Sequence, residues 1–227
     1  MSDELQNFDG STRLFPLPNL VLFPFVIQPL HIFEQRYRKM TADALAGDRL
    51  LTIVLLRQGW EAEYQNRPAL HDVGCLGRIV ADQRLENGRY NLLLRGLVRV
   101  RIVGEIETGK LYRSARVEVV SDLPAQELSV QQQLRRKLGR EATRWLSGNP
   151  EMLQQFQRLI DSDLSLGALA DIFSFALPIE PEFKQQLLEE PEAERRTRSL
   201  LDHLHGLTPP APAPESERQF PPSFSTN

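Results

Sequence analysis

The sequence predicts an α+β protein: a compact, mostly antiparallel, barrel-like domain with one helix, then a small helical bundle. Three observations carry this. Short apolar runs broken by Pro, Gly and Asn-Gly dominate up to Asp122. Helix-period apolar spacing takes over beyond Leu123 and lasts to about His205. The composition is ordinary for a globular chain of 227 residues, with 41% hydrophobic and 25% charged residues. The expected organisation is a disordered N-terminus over 1–11, a barrel over 12–122, a helical subdomain over 123–206 and a disordered tail over 207–227. The tail holds six of the sixteen prolines and too few aliphatic residues to offset its ordering entropy.

In the first half, Leu14-Phe15-Pro16-Leu17 and Leu20-Val21-Leu22-Phe23-Pro24 read as edge strands and bends, because proline cannot donate to a ladder. Gln28–Ile32 reads as another short strand. A helix follows over 34–46, with Phe33, Tyr37, Met40 and Ala44 on one face and Gly47 as its stop. Leu50–Leu56 is an unbroken apolar run, expected to be a strand buried on both faces. Arg57–Asp72 is a long polar connection carrying Trp60 and Tyr64. Val73–Val80 is a strand in which Gly74 and Gly77 predict a bulge or a close approach. Asn87-Gly88 marks a hairpin. Val98, Val100 and Ile102 then alternate with Arg99 and Arg101, and Leu111–Val120 is the expected partner strand.

In the second half, Val130, Leu134, Leu138 and Trp145 form the stripe of one helix. Asn149 and Pro150 cap and open the next, which points Leu153, Phe156, Leu159 and Ile160 inward. Asp163 or Ser165 caps a third, which Pro178 closes. Two shorter helices are expected over about 181–189 and 192–204.

The chemistry is sparse. Gly104 to Lys110 has the spacing of a phosphate-binding loop. However, Leu111 stands where Ser or Thr would hold magnesium, and a strand follows instead of a helix, so a hairpin turn is expected. His203 and His205 lie two apart on a helix and do not share a face, so no metal site is expected. Cys75, the single cysteine, sits in an apolar strand and reads as a small buried hydrophobe. No nucleophile–base pair is apparent, and the reading is of a protein that is not an enzyme and uses no cofactor. The net charge of -3 disfavours a dedicated nucleic-acid binder. Residues 78–116 nevertheless carry a net charge of +5. Arg99, Arg101, Arg113 and Arg116 are thus a candidate basic face, and Arg135, Arg136, Lys137 and Arg140 a second patch. The polar start and the lack of a long apolar stretch predict a cytoplasmic protein without a membrane segment.

Two stretches carry a family resemblance. Leu14-Phe15-Pro16-Leu17-Pro18-Asn19-Leu20-Val21-Leu22-Phe23-Pro24, followed by Pro29-Leu30-His31-Ile32-Phe33-Glu34-Gln35-Arg36-Tyr37-Arg38, resembles the opening of the Lon protease N-terminal, substrate-binding domain. Val73–Ile79, Leu92–Val100, Leu166–Asp171 and Lys184–Glu189 resemble its later segments. The resemblance covers about 12–205 and implies a PUA-like barrel followed by a helical bundle. It implies structural roles for the motif: Pro16 and Pro24 as bends, Phe23, Ile32 and Phe33 as core, His31 and Tyr37 within the signature, Glu34 and Arg36 at the helix start. Lon proteases continue into ATPase and serine–lysine protease modules that this sequence lacks, so a stand-alone bacterial recognition module is expected. The expected partners are unfolded or exposed polypeptide segments, and an ATP-dependent protease for which the chain would be an adaptor or holdase. Phe25, Trp60 and Tyr64 are the candidate polypeptide contacts. The alternative is an RNA-binding protein using the basic face.

Overall fold

The structure, a computed structural model, describes residues 5–6, 8–63, 67–124 and 127–209. The chain divides after Val120 into a stranded unit and a helical unit. The proline-rich tail from residue 210 onward and Tyr64 lie outside the described residues.

The stranded unit has six strands: β1 (Ser11–Leu17), β2 (Ile27–Ile32), β3 (Leu50–Leu55), β4 (Val73–Arg84), β5 (Tyr90–Ile106) and β6 (Ser114–Val120), with α1 (Gln35–Leu45) between β2 and β3. Their order is β2-β5-β4-β3-β1-β6, and β6 pairs with β5 as well as β1. Five strands therefore close into a ring, and β2 hangs on the first half of the long β5. Every pairing is antiparallel except β1–β3, which is parallel and is bridged by β2 and α1.

β3 is buried along its whole length. Leu50 and Val54 join a core with Leu14, Leu76, Val100 and Val117. Leu51, Ile53 and Leu55 fill the opposite side. There α1 contributes Tyr37, whose ring lies 4.5 Å from Phe15, the residue paired with Ile53. Leu5 is buried in the first cluster and Phe8 packs on it, so ordered structure reaches back into the segment expected to be disordered.

Several expectations need correction. Leu20–Pro24 forms no strand. It is an irregular but buried segment, ending in a turn at Pro24 and Phe25. Pro16 lies inside β1 rather than at a bend. It is tolerated there because β6 pairs only with Ser11–Arg13, which leaves that side of Pro16 without a ladder to break. Phe33 is 38% exposed and is not core. Gly47 is not the left-handed residue after α1; Arg49, at φ 62, is. β6 starts at Ser114, so Leu111–Arg113 belong to the turn. The Asn87-Gly88 hairpin joins β4 to β5, with Gly88 at φ 75. Of the Gly104–Lys110 stretch, Gly104–Ile106 end β5 and Glu107–Lys110 open the β5–β6 turn, with Gly109 at φ 66. Gly74 and Gly77 sit where a Cβ would meet Ile53 O at 2.5 Å and Leu94 Cγ at 2.9 Å. A register shift falls at Leu76/Gly77.

The helical unit holds α2 (Leu128–Leu146), α3 (Pro150–Ile160), α4 (Leu166–Ala176), α5 (Pro181–Glu189) and α6 (Ala193–His205). Asn149 caps α3 by accepting from Met152 N, and Ser165 caps α4 by accepting from Ala168 N. Of the basic patch on α2, Arg135 donates to the carbonyls of Leu159, Ile160, Ser162 and Leu164 and so ties down the end of α3. At the centre, Arg196 is fully buried. Its Nε lies 3.0 Å from the equally buried Asp171 Oδ1, Nη2 lies 2.6 Å from Asp122 Oδ2, and Nη1 donates to Glu190 O at 2.6 Å.

Candidate functional site

A sheet with one face on the core ordinarily turns a polar face to water. The β2–β5–β4 surface does not. On β2, Leu30 and Ile32 are buried, so alternation turns Ile27, Pro29 and His31 to the other side. The register puts Ile27 beside Arg95 and Arg78, Pro29 beside Leu93 and Ala81, and His31 beside Asn91 and Gln83. The 2.8 Å contact from His31 Nδ1 to Asn91 Oδ1 lies on this outer face. Phe33 extends the face at one end, its ring 6.3 Å from that of His31. Val80, beside a register shift in β4, adds another apolar group. Phe25, Ile27, Val80 and Phe33 are exposed by 54, 51, 43 and 38%. The strip runs along β2 for about 20 Å, the length of a six-residue extended segment.

Phe25, at its head, has φ 68. An aromatic residue in the left-handed region costs about 1–2 kcal/mol, so this side chain is both strained and largely outside the core. The backbone holds it there. Phe25 N donates to Gly96 O at 3.0 Å, and Gly96 N donates to Val26 O at 2.8 Å. Gly96 thus bonds two successive residues, Phe25 and Val26, at the start of β2, whose other side has no partner strand. Pro29 has no N–H to offer there, and its carbonyl accepts from Gln28 Nε2 at 2.7 Å. The middle of the edge is thus blunted against strand addition, and the accessible chemistry is on the face.

The other sequence candidates fare differently. Trp60 is half-buried in a short 3-10 turn over Trp60–Glu63, on a different element from Phe25. The candidate basic face is broken up. Arg99 is only 2% exposed, because on β5 the side opposite Val98 and Val100 is covered too. Arg101 is exposed and stands opposite Glu118. Arg113 is held by Glu105 and by Pro68 O, and Arg116 donates to Asp9 O. Among the described residues, no group of three His, Cys, Asp or Glu could hold a metal. His203 stacks on Phe183 at 3.8 Å, and His205 lies 3.2 Å from Glu141. Cys75 is buried. Among the described residues no helix is long and apolar enough to cross a membrane.

A cleft of about 400 Å³ lies between the start of α1 and the β5–β6 turn, lined by Arg36, Tyr37, Leu56, Arg67, Leu111 and Tyr112 among others. Its cations brace the fold. Asp43 accepts from Lys39 at 2.8 Å, Tyr112 at 2.7 Å and Lys110 at 3.0 Å, which clamps the turn onto α1. Glu105 holds Arg113 and Arg67. These donors, Lys39 first and then Tyr112, hold the Asp43 carboxyl far below the ordinary carboxylate range. Arg113 foremost, with Arg67, lowers that of Glu105. A depressed carboxylate contributes stability above its unfolded value of 3.8, lost as pH falls toward the folded value. We expect Asp43→Asn to cost about 1 kcal/mol at pH 7, given the exposure of both lysines. The gap in unfolding midpoint between variant and parent should narrow between pH 5 and 2. A constant gap in thermal melts would show that the carboxylate charge is not what clamps the turn.

The chain matches the model of the ATP-dependent protease La (LON) substrate-binding domain over residues 11–206. It is 28% identical to a Lon protease of Anaeromyxobacter dehalogenans over 198 residues, covering 85% of this chain and 22% of that one. It is 30% identical to a Lon protease of Syntrophus aciditrophicus over 190 residues, covering 82% and 24%. The chain thus spans about a quarter of the length of these curated relatives. Among solved structures, the N-terminal domain of a Mycobacterium avium complex Lon protease superposes with a TM-score of 0.69 at 20% identity, covering 86% of this chain and 98% of that one. A Lon N-terminal domain protein from Xanthomonas campestris gives 0.56 at 21% identity, covering 88% and 99%. These likenesses establish the α+β fold. With the family model matched through both the strands and the helices, the chain belongs to the Lon substrate-binding domain family.

Proposed function

We propose that this chain recognises extended or unfolded polypeptide segments on the outer β2–β5–β4 face, as a binding module without catalysis of its own. The observation that carries this is Phe25: exposed, strained and at the head of a strip that carries Ile27, Val80 and Phe33. A side chain that costs the fold energy and covers little of it suits a contact residue. Apolar strips of this kind favour exposed apolar segments of other chains. The likeness to Lon proteases supports an adaptor or holdase role beside an ATP-dependent protease. The basic-face RNA reading is not carried forward, since Arg99 is buried.

Phe25→Gly separates function from folding. Glycine adopts φ 68 without strain, so the unfolding midpoint should be unchanged or higher. Affinity for a reduced, alkylated, permanently unfolded polypeptide should fall about tenfold, as for a loss of roughly 1.4 kcal/mol. Titration by anisotropy tests it. Unchanged affinity for the glycine variant sinks the proposal.

A further inference from the structure

A second cleft, of about 530 Å³, shares Gly109, Lys110 and Leu111 of the β5–β6 turn with the one described above. Its other walls include Arg38 and Lys39 on α1, and Arg84 and Tyr90 beside the β4–β5 hairpin. The register turns this row away from the outer strip. Tyr90 pairs with buried Ile32 on β2 and with Arg84 on β4, so these three share one face. His31, Asn91 and Gln83, one residue along, share the other. Four cations line the cleft, and none of the described residues lining it is Asp or Glu. Lys39 and Lys110 share a single carboxylate, that of Asp43, at 2.8 and 3.0 Å. Arg38 Nη1 donates to a neutral acceptor, Asn87 O, at 3.1 Å, and its Nε is buried with no hydrogen-bond partner among the described residues. The cleft therefore carries an excess of positive charge, and a concave wall of one sign concentrates its field on whatever enters. At the lip, Leu111 is 62% exposed and offers an apolar contact that a bare phosphate does not use. A ligand that satisfies both features carries carboxylates and an aliphatic side chain together, as a polypeptide segment does.

We propose that this cleft is a second polypeptide-contact site, which takes acidic segments: carboxylates pair with Arg84 and the cations around it, and an aliphatic residue packs on Leu111. It rests on the polypeptide-binding reading above, yet it is separate from the Phe25 strip. Guanidinium groups suit the task because they can donate two parallel hydrogen bonds to one carboxylate. Asp43 holds both lysines in place before a ligand arrives, so less side-chain freedom is left to lose on binding. A neutral segment leaves the cations to water. A basic one is repelled.

The test uses the full chain and two labelled twelve-residue peptides, identical except that one carries Glu and the other Gln at alternate positions between leucines. We expect the Glu peptide to bind about five- to tenfold tighter at low salt, with the gap closing at high salt. Arg84→Gln should lower the Glu-to-Gln ratio to about two, and Leu111→Ser should weaken the Glu peptide about threefold. Both residues are exposed, so both variants should melt within a few degrees of the parent. Phe25→Gly should lower affinity for unfolded polypeptide and leave the Glu-to-Gln ratio intact. Equal binding of the two peptides, or a ratio unmoved by Arg84→Gln, would overturn the acidic cleft and leave the outer strip to be judged by Phe25→Gly. A ratio abolished by Phe25→Gly would put the carboxylate contact on the outer strip and overturn the cleft as well. Tripolyphosphate or a single-stranded RNA oligonucleotide bound more tightly than the Glu peptide, through Arg84 but indifferent to Leu111→Ser, would assign the cleft to phosphate and overturn the proposal.

Discussion

Replacing Arg196 with alanine should melt the helical unit. The guanidinium is fully buried and ties three parts of that unit together: Asp171 on α4, Asp122 in the segment before α2, and Glu190 O between α5 and α6. Removing it takes from the Asp171 carboxylate, itself at 0% exposure, the buried cation 3.0 Å away. Breaking a buried pair from one side costs about 3–5 kcal/mol. That is about half of the roughly 5–10 kcal/mol by which a unit of this size is stable. Asp122 loses less, since its side chain keeps 34% of its exposure and can turn to water. The packing also explains Gly167. A Cβ there would lie 2.5 Å from Asp122 Oδ2 and 2.7 Å from Arg196 Nη2, so only glycine lets the pair close. The measurement is the thermal loss of helical circular dichroism. Arg196→Ala should lower the helical midpoint by well over 10 °C. Arg196→Met with Asp171→Leu should recover much of the loss, because no bare charge remains. A single variant that melts within a few degrees of the parent would show that the buried charges are not what holds the helices.

What the sequence disclosed, and what it hid, follows the range of each signal. Local signals were legible. Asn149-Pro150 and Ser165 announce their helices because a cap is decided within four residues. The Asn87-Gly88 turn and the all-apolar β3 are equally local. Pairing is not. The parallel β1–β3 ladder joins segments far apart in the chain, and nothing in either strand states its partner. Alternation also shows that a strand has two faces without showing which is wet. Arg99 lies opposite Val98 and Val100 as alternation requires, yet that side is covered. Its ladder partner Cys75 is fully buried, so the face opposite Val98 and Val100 is dry at that point. The Arg78–Arg95 row was invisible for the same cause, since it exists only in the β4–β5 register. One signal is carried by β2, which has apolar groups on both faces, Leu30 and Ile32 against Ile27 and Pro29, yet hangs at the rim of the ring. A two-faced apolar strand at an edge marks a surface awaiting a partner.

Gly96→Ala is expected to disable that surface from below. A Cβ at residue 96 would lie 2.0 Å from Phe23 O and 2.9 Å from Phe23 C, with Cys75 Sγ at 3.2 Å. The first two are backbone atoms, which cannot swing aside as the end of a side chain would. The segment before β2 must therefore lift from β5. It would take with it the bonds from Phe25 N to Gly96 O and from Gly96 N to Val26 O, and unseat Leu22 and Phe23, both fully buried. Overpacking of this kind costs about 3 kcal/mol, near the top of its usual range. Because Phe25 is bonded through its N–H to Gly96 O, its position should be lost as well. Two readouts separate the effects. The unfolding midpoint should fall, and affinity for unfolded polypeptide should fall at temperatures where the variant is still fully folded. Phe25→Gly provides the contrast, since it removes the contact residue while sparing the seat. If Gly96→Ala lost stability but kept full affinity, the seating of Phe25 would be irrelevant to binding, and the recognition surface would have to be sought elsewhere on the ring.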